Sequence, residues 1–317
     1  MAEAIALGDS MRGRTAPNPN VGCVIVSESG AILGRGATQP GGRPHAEAVA
    51  LAEAGDAVRG ATIYVSLEPC AHVSERGPAC ADLIASAGPA KVVIALEDPD
   101  ERTSGKGIER FEAAGIEVEV GPGAPEARES LSGYLTRLRL GRPRITLKLA
   151  LSIDGKIAMP SGASKWITGE DARAHVHLER ARSDMILVGR GTLLADAPGL
   201  DVRLPGLEER APRKTILTRG NGAPGWERLG APEEVFHLTD VNDLLVEGGS
   251  GAASAFLQAD LVDRLLIYRA PVLIGEGKSS IGYIGLTAIA EAHRRWRFSD
   301  SRMLGVDRLE VYERDRN

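Results

Sequence analysis

A fold that uses the most distinctive side chains of this chain must bring His45, Cys70 and Cys80 to one point. The run His45-Ala46-Glu47, followed by Pro69-Cys70 and then Cys80, supplies one imidazole, two thiols and a carboxylate. Zn²⁺ takes His nitrogen and Cys sulfur tetrahedrally, and a catalytic zinc keeps one position open for water. Taken singly, each residue has a plainer reading: His45 caps a helix, the cysteines are small core hydrophobes and Glu47 is a solvated charge. Taken together, His-x-Glu opening a helix and Pro-Cys closing a strand, in that order, make a metal site the better account. Cys23 follows Gly22 inside the apolar run Val21 to Val26 and reads as core.

The order matches H-x-E…P-C-x-x-C, the mark of zinc deaminases, in which the Glu is a general acid/base and not a ligand. It departs in its second half, because Cys70 and Cys80 are ten positions apart instead of three. Helix N-termini are electropositive and present unpaired N–H groups. With His45 and Glu47 at one helix start and the thiols at another, both ends converge on the metal. Zinc lowers the pKa of bound water towards about 7. Glu47 can take that proton and deliver it to a ring nitrogen and a leaving amine. The chemistry is cyclic-amidine hydrolysis: attack, a tetrahedral carbon, loss of ammonia.

The 317 residues exceed one typical core and suggest two domains. Hydrophobic content of 43% with 26% charged residues is ordinary for a globular protein. No apolar stretch approaches the ~18 residues of a membrane span, and the N-terminus lacks the pattern of a signal peptide. Three cysteines without framework spacing fit a reducing cytoplasm. A net charge of −5 argues against a nucleic-acid-binding face. It leaves small anionic ligands open, since a few local arginines bind a phosphate.

Along the chain, residues 2–12 read as a helix and Arg12 to Asn20 as a loop fixed by two prolines. Val21–Val26 and Ile32–Gly36 form a hairpin around Ser29-Gly30. A helix over His45–Ala54, a strand at Ala61–Val65, a helix at Cys80–Ala87 and a strand at Lys91–Leu96 follow. A helix at Gly107–Ala114 and a strand at Ile116–Val120 complete an α/β sandwich with a largely parallel sheet after the hairpin. Gly121-Pro122-Gly123 breaks the rhythm. A helix from Pro125 to Leu140 carries Leu131, Tyr134, Leu135 and Leu138 on one stripe, and Gly141 and Pro143 end it. The boundary is placed there, giving domains 1–142 and 143–317. The second α/β series has strands at Ile145–Leu151, Met185–Val188, Lys214–Leu217, Asp243–Val246, Arg264–Ala270 and Arg308–Tyr312. Its helices run over Asp171–Arg182 and Ala252–Gln258. Glu247-Gly248-Gly249-Ser250-Gly251 lies between a strand and a helix, where glycines let backbone N–H groups approach a phosphate. A plain turn explains it equally well.

Pro17-Asn18-Pro19-Asn20-Val21-Gly22-Cys23, Pro44-His45-Ala46-Glu47 and Leu67-Glu68-Pro69-Cys70-Ala71-His72 resemble the deaminase half of the bifunctional riboflavin-biosynthesis deaminase–reductase family. In that family the second thiol also lies well downstream, with a spacing one residue shorter. Lys148 to Lys156, Ser164 to Gly169, Gly191 to Asp196, Arg203 to Gly206 and Leu261-Val262-Asp263 resemble its reductase half, in the same domain order. The resemblance implies an N-terminal cytidine-deaminase-like α/β/α sandwich and a C-terminal dihydrofolate-reductase-like α/β domain.

It further implies one zinc on His45, Cys70 and Cys80, with Glu47 catalytic, and NADPH in the second domain. Asn18, His72 and Arg76 would contact substrate in the deaminase pocket; on its own Asn18 reads as a turn residue. Lys148, Ser164, Thr168, Arg180, Leu200, Arg203 and Glu247 would hold the sugar-phosphate substrate, and Arg180 and Arg203 offer bidentate donors for its phosphate. Ala150, Trp166, Thr192, Asp196, Gly249, Ser250, Gly251, Ala252, Ala253, Ser254 and Ala255 would line the cofactor.

The implied reactions are hydrolysis of the 2-amino group of a diaminopyrimidinone ribosylamine phosphate, then NADPH-dependent reduction of the ribosyl to a ribityl chain. The implied setting is a cytoplasmic homo-oligomer, dimer or tetramer, with a small-molecule partner and neither nucleic acid nor membrane. The stretch Arg219–Asn242 is shorter than usual for the family, so a lost strand or trimmed loop is expected there. That leaves an active deaminase with a degenerate reductase as one alternative. A nucleobase or tRNA-type zinc deaminase with an accessory domain is another, which the acidic balance and 4% aromatic content disfavour. A non-catalytic zinc-stabilised protein is the third, and Glu47 speaks against it because a structural site would use a fourth protein ligand.

Overall fold

Two backbone contacts set the geometry of the N-terminal half, and both depend on a missing side chain. The computed structural model describes residues 1–73 and 77–316 and divides the chain into two compact units, Met1–Gly141 and Arg142–Asn317. In the first unit the elements run α1 (Ala2–Asp9), β1 (Gly22–Val26), β2 (Ile32–Ala37), α2 (Ala46–Ala54), β3 (Thr62–Val65), α3 (Cys80–Ala87), β4 (Lys91–Ile94), α4 (Lys106–Ala113), β5 (Glu117–Val120), α5 (Ala124–Ser130) and α6 (Ser132–Leu140). The sheet order is β2-β1-β3-β4-β5, with β1 antiparallel to both β2 and β3 and the rest parallel.

A Cβ at Gly22 would lie 1.8 Å from Ala4 O, and one at Gly36 would lie 1.9 Å from Ala46 O. So α1 and α2, both rich in alanine, press their backbones directly onto the hairpin. Ala46 and Ala50 are fully buried there beside Cys23, Ile25 and Ile63. Gly36 thereby seats the first turn of α2, the turn that begins after His45 and carries Glu47.

The second unit contains β6 (Arg144–Leu151), β7 (Lys156–Ala158), α7 (Glu170–Ala181), β8 (Met185–Gly189), α8 (Arg190–Asp196), β9 (Arg213–Leu217), β10 (Glu227–Leu229), β11 (Asp243–Val246), α9 (Ser250–Gln258), β12 (Arg264–Arg269), β13 (Lys278–Ser279), β14 (Trp296–Leu304) and β15 (Asp307–Arg314). Its eight-stranded sheet runs β10-β9-β8-β11-β6-β12-β15-β14. Strands β10 to β12 in that order are parallel, and β15 and β14 close the edge as an antiparallel pair. Its core gathers Ile145, Leu147, Leu187, Val246 and Phe256. Arg142 belongs to this unit, donating from Nη1 and Nη2 to Asp263 at 2.6 and 2.8 Å.

Several elements differ from the sequence expectation. Helix α1 stops at Asp9. The single helix expected over Pro125–Leu140 is two, because Leu131 leaves helical geometry (φ −90°, ψ 6°). Strands β7, β10, β13 and β14 and helix α8 were not anticipated. β14 carries no apolar alternation (Trp-Arg-Phe-Ser-Asp-Ser-Arg-Met-Leu) and is largely exposed; it exists because β15 offers it a ladder. The shortened stretch still contributes an edge strand, β10, parallel to β9. Among the described residues no helix is long and apolar enough to cross a membrane.

Candidate active sites

His45 is the N-cap of α2, with extended backbone (φ −73°, ψ 161°), so its ring leaves the helix start sideways. Cys80 is the first residue of α3. Cys70 lies beyond β3 and is drawn back to that helix start: Cys80 N–H donates to Cys70 Sγ at 3.3 Å and Ala81 N–H to Cys70 O at 3.1 Å. The ten-residue spacing is therefore closed by backbone hydrogen bonds. His45 Nδ1 stands 3.3 Å from Cys80 Sγ and 3.6 Å from Cys70 Sγ, and one ligand atom from each of the three lies within 4.8 Å of the others. One nitrogen and two sulfurs at this spacing fit a tetrahedral zinc with its fourth position open.

Shared hydrogen bonding splits the two thiols. Cys70, bonded to Cys80, is pulled down to about 4, while the same contact and burial push Cys80 far up. The pair so holds one proton, which a cation would displace. Glu47 is 3% exposed, and burial pushes its carboxyl above the ordinary range, with His45 pulling the other way. A carboxyl beside the ligands with a raised affinity for protons is suited to shuttling them. A cleft of about 330 Å³ between Arg43, Ala48, Gly77 and Leu83 reaches His45 and Cys80.

Asn18 Nδ2 donates to Gly42 O at 2.8 Å and lies 3.2 Å from His45 Nε2, so it steadies the ring on the side away from the sulfurs. His72 is half-buried, and its Nδ1 is a buried atom without a hydrogen-bond partner among the described residues. Arg76 lies outside the described residues. Glu68, to which sequence reasoning assigned no role, is buried and accepts the backbone N–H groups of Asp98, Gly105, Gly107 and Ile108 at 2.9 to 3.4 Å. It pins the segment that carries Cys70. Its partners lie thirty or more positions away, so no local pattern could reveal it.

In the second unit a cleft of about 470 Å³ opens at the C-terminal ends of β6, β8 and β11, the usual ligand position in parallel sheets. Lys148, Ala150, Ser164, Trp166, Thr168, Arg180, Thr192, Asp196, Leu200, Arg203, Glu247 and Gly249 all line it. An adjoining cleft of about 440 Å³ shares Ser164, Thr192, Asp196 and Gly249 and adds Ser250, Gly251 and Ala252. Thr192 Oγ1 accepts Gly249 N–H at 3.0 Å, tying α8 to the glycine turn. The remaining expected residues, Ala253, Ser254 and Ala255, line neither cleft. The helical turn of α9 carries Ala253 into the core, and Ser254 Oγ accepts Gly282 N–H at 2.8 Å.

The two arginines expected to bind phosphate differ. Arg180 donates from Nε and Nη2 to Glu247 at 2.6 and 2.9 Å, and from Nη1 to Asp201 O at 2.9 Å. Its fork is spent on the buried Glu247, so it is not presented for bidentate capture. Burial works against the Glu247 charge, yet Lys148, whose Nζ is 3.6 Å away, and Arg180 outweigh it and hold the carboxyl below its ordinary range. The Arg203 side chain is 62% exposed, with its Nε 3.5 Å from Asp201 Oδ1. The cleft also contains residues that sequence reasoning missed: Arg173, stacked 4.9 Å over the Trp166 ring, and His177. The one available signal for His177 was its place three residues before Arg180, on the same helix face.

Residues 1–96 match the cytidine and deoxycytidylate deaminase zinc-binding region, and residues 143–225 with 232–309 match the RibD C-terminal domain. The riboflavin biosynthesis protein RibD of Escherichia coli K12 is 39% identical over 97% of this chain and 96% of its own length. The solved structure of Acinetobacter baumannii RibD is similar at a TM-score of 0.90 and 34% identity, covering 99% of this chain and 98% of that one. The Thermotoga maritima diaminohydroxyphosphoribosylaminopyrimidine deaminase/5-amino-6-(5-phosphoribosylamino)uracil reductase is similar at 0.88 and 31%, covering 99% and 97%.

Proposed function

The chain belongs to the RibD family and is a bifunctional deaminase–reductase of riboflavin biosynthesis; from that premise we propose how its residues divide the two reactions. The observation that carries the reading is the buried Glu47 beside a converging His45, Cys70 and Cys80. In the first unit those three residues would hold one zinc per chain. Zinc, when bound, supplies the acidity that makes a water nucleophilic at neutral pH. Glu47 accepts one proton of the attacking water and passes it to the pyrimidine ring nitrogen, and then carries the hydroxyl proton of the tetrahedral carbon to the departing amine as the carbonyl forms. Its burial favours the protonated form that the second transfer needs. Asn18 keeps the His45 ring in place, and His72, two residues after Cys70, would contact the pyrimidine.

In the second unit NADPH, when bound, supplies a hydride for the ribosyl carbon of the deaminated intermediate. Lys148 and Glu247, paired at 3.6 Å in the cleft, would attend the opening of that sugar, with Arg180 keeping Glu247 ionised. Arg203 would take the phosphate, and Gly249 to Ala252 would carry the cofactor's phosphates on backbone N–H groups. The shortened stretch trims the β10 edge of the sheet, and both clefts retain their expected walls apart from Ala253 to Ala255, so an active reductase is the better reading. We also place the protein in the cytoplasm, as an oligomer. The test is one assay on the purified full chain: ammonia release from the diaminopyrimidine substrate, and separately NADPH oxidation with the deaminated intermediate. Absence of ammonia release from a zinc-loaded preparation overturns the deaminase assignment, and absence of NADPH consumption overturns the reductase assignment.

A further inference from the structure

We propose that His177 is a positioning residue of the reductase cleft: its Nδ1 accepts the Arg203 N–H and so holds the segment that presents Arg203 to an anionic substrate. This rests on the reading of Arg203 as the phosphate contact. His177 is buried on α7 and lines the cleft. Its Nδ1 is 3.2 Å from Arg203 N and 3.0 Å from Asp201 O. One ring nitrogen cannot serve both: unprotonated it accepts from Arg203, protonated it donates to Asp201. Asp201 O already accepts Arg180 Nη1–H at 2.9 Å, whereas among the described residues the Arg203 N–H has no other acceptor. The arrangement that satisfies both groups puts the proton on Nε2 and leaves Nδ1 to Arg203.

The role follows from how Arg203 is held. Its guanidinium is mostly exposed, with one loose carboxylate partner, so its side chain does not fix its own position. Its main chain does, through His177. The charged groups around the imidazole are Arg180 on the same helix, Asp201 and Arg203 on the segment after α8, and Glu247 after β11. Burial and then Arg180 lower its proton affinity, which keeps the ring neutral at neutral pH and leaves the choice of nitrogen to the hydrogen bonds. Acidification would place a proton on Nδ1, strip the Arg203 N–H of its acceptor and loosen the segment.

The experiment uses the full-length ¹⁵N-labelled protein and reads the His177 tautomer by long-range proton–nitrogen correlation. Reduction of the deaminated intermediate is followed from roughly pH 5 to 8, the range over which His titrates. The expected tautomer is Nε2–H. His177→Leu should raise KM for the intermediate about fivefold to tenfold, the worth of one hydrogen bond to a buried group, with kcat and NADPH dissociation constant within about twofold. His177→Asn, whose carbonyl oxygen replaces Nδ1, should recover most of that KM. Wild-type KM should rise on acidification, and that of His177→Asn should stay flat. An Nδ1–H tautomer at neutral pH overturns the proposal. So does an unchanged KM in His177→Leu, or a joint loss of KM, NADPH affinity and melting temperature that Asn does not rescue. If wild type never reduces the intermediate, the reductase assignment falls, and the tautomer alone still decides the His177 contact.

Discussion

Gly36→Ala tests how the fold aims the deaminase site, although residue 36 is not part of it. The added Cβ would lie 1.9 Å from Ala46 O and 2.8 Å from Ala50 N. Both are backbone atoms of α2, so no side chain can rotate away. To bring the closer contact to 3.0 Å, the shortest that real Cβ atoms show, the helix start must recede by about 1.1 Å. Ala46 stands between His45 and Glu47, so the displacement passes to a ligand and to the proton shuttle together. Overpacking of this kind costs about 1–3 kcal/mol. Functional constellations tolerate about 0.5 Å, and a misplacement near 1 Å can cost about 10²-fold in rate. Expected outcomes are therefore weakened zinc retention and ammonia release reduced by about 10²-fold or more. NADPH oxidation with the deaminated intermediate should be unchanged, since β2 and α2 lie in the first unit. Metal content after dialysis against a chelator and the two rate assays measure this. A Gly36→Ala protein with full zinc and wild-type ammonia release would refute the argument that direct backbone packing positions the site.

Glu47→Gln should keep its zinc and lose about 10²–10⁴-fold in ammonia release for each proton transfer it serves; metal loss in that variant would make Glu47 structural instead. Cys70→Ala and Cys80→Ala should each lose metal and deamination while still oxidising NADPH with the deaminated intermediate, and a strong chelator should do the same to wild type. Arg203→Ala should leave ammonia release intact and lower kcat/KM for reduction by roughly 10²-fold, a charge-assisted phosphate contact being worth a few kcal/mol. Asp98 gives a pH prediction. Burial raises its carboxyl to about 6 from 3.8, so between those values the folded state binds a proton that the unfolded state lacks. Stability should then fall as pH rises through that window, by on the order of 3 kcal/mol. Asp98→Asn, still able to accept from Tyr134, should flatten that slope in urea unfolding.

Residue identity and local spacing single out His45, Cys70 and Cys80, whose ligand atoms the fold brings within 4.8 Å of one another, because His-x-Glu at a helix start and Pro-Cys after a strand are local devices that bring their own geometry. The alternation of strands and helices likewise set the α/β class of each half. What stayed hidden was every partner chosen by distant chain. Arg180 reads as a phosphate ligand until Glu247, sixty-seven positions on, takes its fork. Glu68 carries no role in the sequence until four backbone N–H groups close on it. His177 acquires a role only where the segment carrying Asp201 and Arg203 returns to α7. β14 is a strand because β15 pairs with it and not because its residues alternate. Local backbone preference and hydrophobic period act within a few residues and are written into the sequence. The pairing of a buried polar group is set by which segment the sheet lays beside it, and the tertiary fold alone decides that.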